Sequence, residues 1–420
     1  MNVAEAYLKQ RASFPALTDR PPAPDVNNVI VIPCHNEERV TDTLSSLLSC
    51  NAPLRPVEVF IVINSSKKDS GEVIRKNRET FSHLKQWAEK HNTGMISFFP
   101  FLCEGLPVKK AGVGLARKIG MDEAVRRFHL LQRPEGIITS LDADTLADPD
   151  YLTALEHFFE HHPEVSGVSV YFEHPLGGTT FPGAVYDAII RYELHLRYFV
   201  NALRIIGYPF AYHTVGSAFA VRMEAYVRQG GMNTRQGGED FYFLQKIIKE
   251  GHFADLTTTR VVPSPRPGSR VPFGTGPVIQ KLTSGEEKEF MTCNPAAFRE
   301  LALFFAMVPR INREKISPEK IFVRLPPSMQ YFLGKDPFAS RIHEILANVS
   351  SEKTFLKRFY HWFDTFRVIR YLNYSHEKFF GRKPVARAAR QILKEAGVTS
   401  LPENNRDLLE LYRKRDRTHG

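Results

Sequence analysis

Long apolar runs are missing from this 420-residue chain. No stretch of about 18 apolar residues occurs, so no membrane-spanning helix is expected. The N-terminal MNVAEAYLKQRASF lacks a continuous apolar core and a small-residue cleavage site, so no signal peptide is expected either. Cysteine is scarce and unpatterned. Cys34, Cys50, Cys103 and Cys293 share no CxxC-type spacing, which argues against a zinc site and a disulfide framework. A reducing, cytoplasmic setting is the expectation. Internal repeats and low-complexity tracts are absent from the sequence. What is present is ordinary globular composition, 43% hydrophobic and 24% charged, enough for a large core in one to three domains.

Charge is unevenly placed. Residues 351–420 hold 16 Lys+Arg against 8 Asp+Glu, so +8 of the net +10 lies there. A basic tail suits a polyanion or an anionic lipid surface, or is a solvated helical face. Nucleic acid is an unlikely partner, because the tail shows no recognisable fold signature or zinc spacing. The aromatic and basic helical patterns at 185–206 and 355–371 suit peripheral contact with anionic lipid, or packing against the rest of the chain, which is the preferred reading.

Along the chain, apolar runs alternate with helical patterns. Residues 1–20 suit a short amphipathic helix, and PPAPD at 21–25 breaks it. VIVI at 29–32 reads as a strand ended by Pro33, and Asn36 as the cap of a helix carrying Val40, Leu44, Leu47 and Leu48. VEVFIVI at 57–63 is a second strand, followed by the polar turn NSSKKDSG. Residues 94–101, 136–141 and 165–172 are further strands, and 112–128 and 185–206 are helices. Residues 261–277, rich in Pro and Gly, read as a loop, and the chain beyond about 285 as helical. Such alternation predicts a mostly parallel α/β sheet, with ligands beyond the carboxyl ends of its strands.

At one of those ends stands SLDADT (140–145), with Asp142 and Asp144 two residues apart. Two like charges at a core edge repel unless a cation or a proton separates them. Three readings compete. The pair holds Mg²⁺ or Mn²⁺ shared with a diphosphate. Or Asp142 is the nucleophile of an aspartyl phosphatase of the haloacid-dehalogenase type. Or the pair is a structural turn with helix caps. The phosphatase motif normally sits on the first strand of its domain, and at least three strand candidates precede this one. A second acidic site follows at GGEDFYFL (237–244), where Glu239 and Asp240 open an amphipathic helix. The helix dipole there favours the charged, base-competent form.

Together these residues resemble the family 2 glycosyltransferases of the GT-A fold, over about residues 29–255. VIVIPCHNEE resembles their first strand and its turn. GLARKIG (114–120) resembles their G-x-x-A-R-N-x-G helix, SLDADT their DxD element, and the segment ending in Glu239-Asp240 their acceptor-side element. VPSPRPGSRVPFGTG is similar to a stretch of one bacterial branch. The resemblance implies a metal-dependent, inverting transfer of a sugar from a nucleotide-sugar donor to an acceptor hydroxyl. Pro33, His35, Glu37, Asn64 and Arg117 would then face the donor, Asp142 the ribose or metal, and Asp144 the metal. Asp240 would be the general base and Glu239 a positioning acid. Asn64 stands where the family usually has an Asp against the base, and Lys118 replaces the usual Asn. Arg266 and Arg270 lie in a loop that suits closure over a diphosphate, or a plain surface loop. Lys109 and Lys110 face phosphate or solvent, and His213 is a ligand or a structural histidine. The expected organisation is an N-terminal helix and linker (1–25), a catalytic domain (26–280) and a helical basic region (281–420). A non-catalytic module binding an anionic surface is the third class considered.

Overall fold

In the computed structural model, residues 3–12, 14–268 and 274–418 are described. The run at 29–32 lies in β1 (Asn28–Cys34), buried along its whole length, as a central parallel strand must be. It pairs in parallel with β2 (Val57–Ser66) on one side. The later strands are β3 (Ile96–Leu106), β4 (Ile137–Ser140), β5 (Thr145–Ala147), β6 (Gly167–Phe172), β7 (Phe219–Arg222) and β8 (Phe253–Pro263). Among the described residues they form an eight-stranded sheet in the order β3-β2-β1-β4-β7-β6-β8-β5. The β3–β2, β2–β1, β1–β4 and β6–β8 pairs are parallel. β7 is antiparallel to both β4 and β6, and β5 is antiparallel to β8. With helices flanking a mostly parallel sheet and a helical C-terminal region, this is the GT-A architecture.

Three local expectations change. β1 continues through Pro33. The Val31 carbonyl accepts from Leu141 N on the β4 side. Pro33 has the same parity, so it faces that side too, and there the β4 ladder has already ended at the Val31–Ser140 pair. The missing N–H therefore breaks no bond. Asn36 caps nothing. Its φ is 47°, and its N–H donates to Asn77 Oδ1 at 2.9 Å. Finally, the segment read as a loop from 261 starts as strand, because β8 runs to Pro263, and it ends inside a helix that begins at Thr275.

The helices of the first half are α1 (Val3–Gln10), α2 (Val40–Leu48), α3 (Gly71–His91), α4 (Val113–Leu130), α5 (Tyr151–His161), α6 (Gly183–Ile205), α7 (Met223–Arg228), α8 (Glu239–Ile248) and α9 (Thr275–Thr283). α4 is charged yet sunk in the core. Nearly every residue of it is buried, including Arg117, Lys118, Asp122, Glu123 and Arg127. Buried charges persist only when paired, and these are. Lys118 reaches Asp122 at 3.0 Å, and Arg127 pairs with Glu58 of β2. The N-terminal segment completes the pairing. Tyr7 of α1 donates to Asp122 Oδ1 at 2.6 Å, and Leu17 N donates to Glu123 Oε2 at 3.0 Å. Ala23 N donates to Glu58 Oε1 at 3.2 Å.

The chain divides into two units. One comprises residues up to 189, 214–283 and from 416 on, and the other 190–213 and 284–415. The second is helical, with α10 (Pro295–Arg313), α11 (Pro318–Phe322), α12 (Pro327–Leu333), α13 (Lys335–Ala347), α14 (Glu352–Trp362), α15 (Thr365–Ser375), α16 (Val385–Glu395) and α17 (Asn405–Arg417). Phe304 and Phe363 meet edge to face at 4.9 Å in its aromatic core, which also holds Phe305, Phe338 and Phe359. Glu193 is fully buried there and takes two 2.8 Å bonds from Arg413 and one from Arg197. Among the described residues no helix is long and apolar enough to cross a membrane.

Candidate active site

The carboxyl ends of β1, β2 and β4 lie at one edge of the sheet, and the parallel and antiparallel pairings bring the end of β8 and the start of β7 to the same edge. Glu37 follows β1, Asp142 and Asp144 follow β4, and Arg266 follows β8. α4 and α8 supply Arg117 and the Glu239-Asp240 pair.

Among the described residues, the two aspartates of SLDADT are held by different arginines. Arg117 Nη2 donates to Asp142 Oδ1, and Arg117 Nη1 donates to Glu239 Oε1. Arg266 Nη2 donates to Asp144 Oδ2 at 3.1 Å, and its guanidinium also forks onto Glu37, with Nη1–Oε1 at 3.1 Å. Each aspartate thus takes one bond from a different guanidinium, and each guanidinium is shared with a glutamate, Arg117 with Glu239 and Arg266 with Glu37. The inner pair is sealed, with Arg117 and Glu239 side chains 3% and 2% exposed. Asp142 and Asp144 remain open, at 36% and 32%.

Local structure fixes this arrangement. Gly216, just before β7, lies so close to Arg117 that a Cβ there would collide with the guanidinium, 2.8 Å from Nη1. Only glycine leaves the guanidinium room to reach both acids. Ser140 Oγ donates to the Gly216 carbonyl at 2.7 Å, tying β4 to this loop. Gly238 stands at φ 65° and turns the chain into α8, a conformation glycine adopts without strain. Asn233 Nδ2 holds the Glu239 carbonyl at 2.9 Å, and Gln236 Nε2 donates to the Val108 and Ala111 carbonyls before α4.

The acids do begin a helix, but their ionisation departs from the dipole expectation. Burial pushes Glu239 up to about 7, against the pull of Arg117. Burial also raises Asp240, opposed by Arg117 and by the Phe241 N–H, which donates to Asp240 Oδ1 at 2.7 Å. Desolvation outweighs the dipole here. A carboxylate whose proton affinity is raised in this way is better suited to accept a proton than an ordinary one.

Pro33 is buried in β1. His35 meets Asp69 Oδ2 through Nε2 at 3.0 Å, and Asp69 also accepts from Ser66 N at 2.8 Å. Asn64 is buried, and its carbonyl accepts from Asn77 Nδ2 at 3.0 Å. Lys109 and Lys110 are exposed, and His213 is buried. Arg270 lies outside the described residues. Asp69 and Asn77 are structural partners that the sequence pattern did not single out. Asp69 stands in the polar turn NSSKKDSG, whereas Asn77 sits inside a helix with nothing to mark it.

Among the described residues at this edge of the sheet, Glu37, Asp142, Asp144, Glu239 and Asp240 face the guanidiniums of Arg117 and Arg266. That excess of negative charge repels a diphosphate unless a cation enters with it. Among the described residues no three His, Cys, Asp or Glu side chains gather into a metal cage. The donor set is two partly open carboxylates. This fits Mg²⁺ or Mn²⁺ bound through one or two carboxylates and completed by phosphate oxygens, rather than a metal held by protein alone.

Residues 29–226 match the family model described as Glycosyl transferase family 2. This segment is a family 2 glycosyltransferase domain. It contains Glu37, Arg117, Asp142 and Asp144, while Glu239, Asp240 and Arg266 lie beyond the matched residues. The glycosyltransferase match includes SLDADT and displaces both the phosphatase and the non-catalytic readings. No curated protein matches the chain. Among solved structures, residues 1–349 of TarS from S. aureus in complex with UDP-GlcNAc are 14% identical, with 94% of this chain and 89% of that one covered and a TM-score of 0.39. A mannosyltransferase from Pyrobaculum calidifontis, PcManGT in complex with GDP-Man and Mn²⁺, is 15% identical, with 93% of each chain covered and a TM-score of 0.37.

Proposed function

We propose that the protein is a divalent-cation-dependent, inverting glycosyltransferase that moves a sugar from a nucleotide-sugar to an acceptor hydroxyl. The observation that carries this reading is the pair of arginine-held aspartates facing the Glu239-Asp240 helix within a family 2 domain. Asp240 takes the acceptor proton. The acceptor oxygen then attacks the anomeric carbon, and the bond from that carbon to the diphosphate breaks, its electron pair leaving with the nucleoside diphosphate. One base and one displacement invert the anomeric centre. Asp144 and Asp142 would hold Mg²⁺ or Mn²⁺, which supplies charge stabilisation to the leaving diphosphate. Glu239, fixed by Arg117, positions acceptor or donor. Arg266, beside Asp144, turns toward diphosphate oxygens when donor and cation arrive. Pro33, His35, Glu37 and Asn64 line the nucleotide side, and the Asp69 contact orients the His35 ring. All four cysteines are thiols rather than disulfides, which supports a cytoplasmic setting.

The test is a panel of nucleotide-sugars with Mn²⁺, followed by nucleoside diphosphate release and transfer to added acceptor. Asp240→Asn is expected to retain donor binding and lose transfer. Transfer at the wild-type rate by Asp240→Asn rejects the base assignment, and no turnover of any donor rejects the reading.

A further inference from the structure

The helical unit holds a cavity that the transfer reaction does not use. It has a volume of about 270 Å³ and lies between α13 and α14, lined by Arg341, Glu344, Lys357, Arg358 and His361 among others. α14 is anchored from behind. Phe355 and Phe359 are fully buried, and a capping box between Ser351 and Thr354 fixes its first turn. Lys357, Arg358 and His361 are therefore carried exposed on a rigid support.

The charges of this cavity are unbalanced. Arg341 pairs with Glu344 at 2.6 Å. Lys357 and Arg358 have no ion-pair partner among the described residues, and Glu344, the acid of the lining, is already engaged by Arg341. Arg341 Nε is buried without a hydrogen-bond partner, a donor left unsatisfied at a cost. The crowding extends further. Arg367 is held below the usual arginine range by burial first and then by Arg370, with Arg341 adding to it and only Asp364 opposing. An anion in the cavity would balance the uncompensated charge of Lys357 and Arg358.

We propose that this cavity is a phosphate-binding site, which takes the phosphate group of an anionic ligand between Arg341, Lys357 and Arg358. Guanidinium and ammonium groups converging on one space are the usual means of holding phosphate oxygens. The volume lies below that of pockets for drug-sized molecules. It suits a phosphate ester or a lipid headgroup, not a second nucleotide-sugar. The two sources share this chemistry and separate in the experiment.

The full chain is titrated calorimetrically with inorganic pyrophosphate in the presence of EDTA, which disfavours cation-dependent binding at the donor site. Lys357→Gln/Arg358→Gln should weaken binding at least about tenfold, because it removes two charge-assisted hydrogen bonds. The charge-conserving Lys357→Arg/Arg358→Lys should bind as wild type does, and so should Asp144→Asn, which separates this site from the donor site. Sedimentation with phosphatidylcholine vesicles, with and without phosphatidylglycerol, assigns the source. Binding that needs phosphatidylglycerol and is lost in Lys357→Gln/Arg358→Gln identifies a lipid phosphate. Pyrophosphate binding lost in that variant, without vesicle binding dependent on these residues, identifies a soluble phosphate ligand. Pyrophosphate affinity unchanged in Lys357→Gln/Arg358→Gln, or no binding by the wild type, overturns the proposal.

Discussion

Arg117 serves two acids at once, Asp142 on the donor side and Glu239 on the acceptor side. Removing one partner of a buried ion pair leaves an uncompensated charge. Arg117→Leu should therefore cost about 3–5 kcal/mol, read from urea unfolding, and Glu239→Gln in the same chain should return part of that loss. Glu239 itself gives stability a pH dependence. Its carboxyl is raised from 4.5 to about 7 in the folded chain, so the fold binds the proton more tightly than the unfolded chain does. That contribution is complete below about 4.5 and is lost as pH rises through about 7. Urea midpoints across this window should fall with rising pH in the wild type and fall less in Glu239→Gln. SLDADT and GGED were both legible in the sequence as acidic sites. Their arginines were not legible as partners, because Arg117 stands 25 and 122 positions from its two acids and Arg266 stands 122 from Asp144. Only the fold closes such distances.

At the scale of elements, α4 is the beam on which the site rests. Its charged residues are buried, and the N-terminal segment supplies part of their bonding. Tyr7→Phe should destabilise the fold by about 1 kcal/mol or more through loss of the hydroxyl on Asp122, measurable as a lowered urea midpoint. Gly216→Ala tests the close approach over Arg117. The added Cβ would press on the guanidinium, 2.8 Å from its central carbon and Nη1, so transfer should fall and stability should drop by about 1–3 kcal/mol. The central strands were readable because parallel strands buried on both faces appear as continuous apolar runs, as β1 and β2 do. α3 was not, since of its 21 residues only Asn77, Leu84 and Ala88 are buried, too few for an apolar stripe. β8 was hidden by its sequence FADLTTTRVVP, whose first half is polar and irregularly buried, with Thr259 taking one of the buried positions.

For the whole molecule, the expected class follows from strands whose ends gather charged residues at one edge. The helical unit was legible as helical and basic. Its cationic cavity was not, because it needs α13 and α14 side by side. The central claim is that the aspartates of the family 2 domain hold a diphosphate through a cation. Calorimetric titration of UDP, GDP and dTDP, with and without Mn²⁺, on the wild type and Asp144→Asn tests it most directly. One nucleotide is expected to bind only with Mn²⁺, and Asp144→Asn is expected to lose this binding. Nucleotide binding that is equally tight without Mn²⁺, or unchanged in Asp144→Asn, would contradict it.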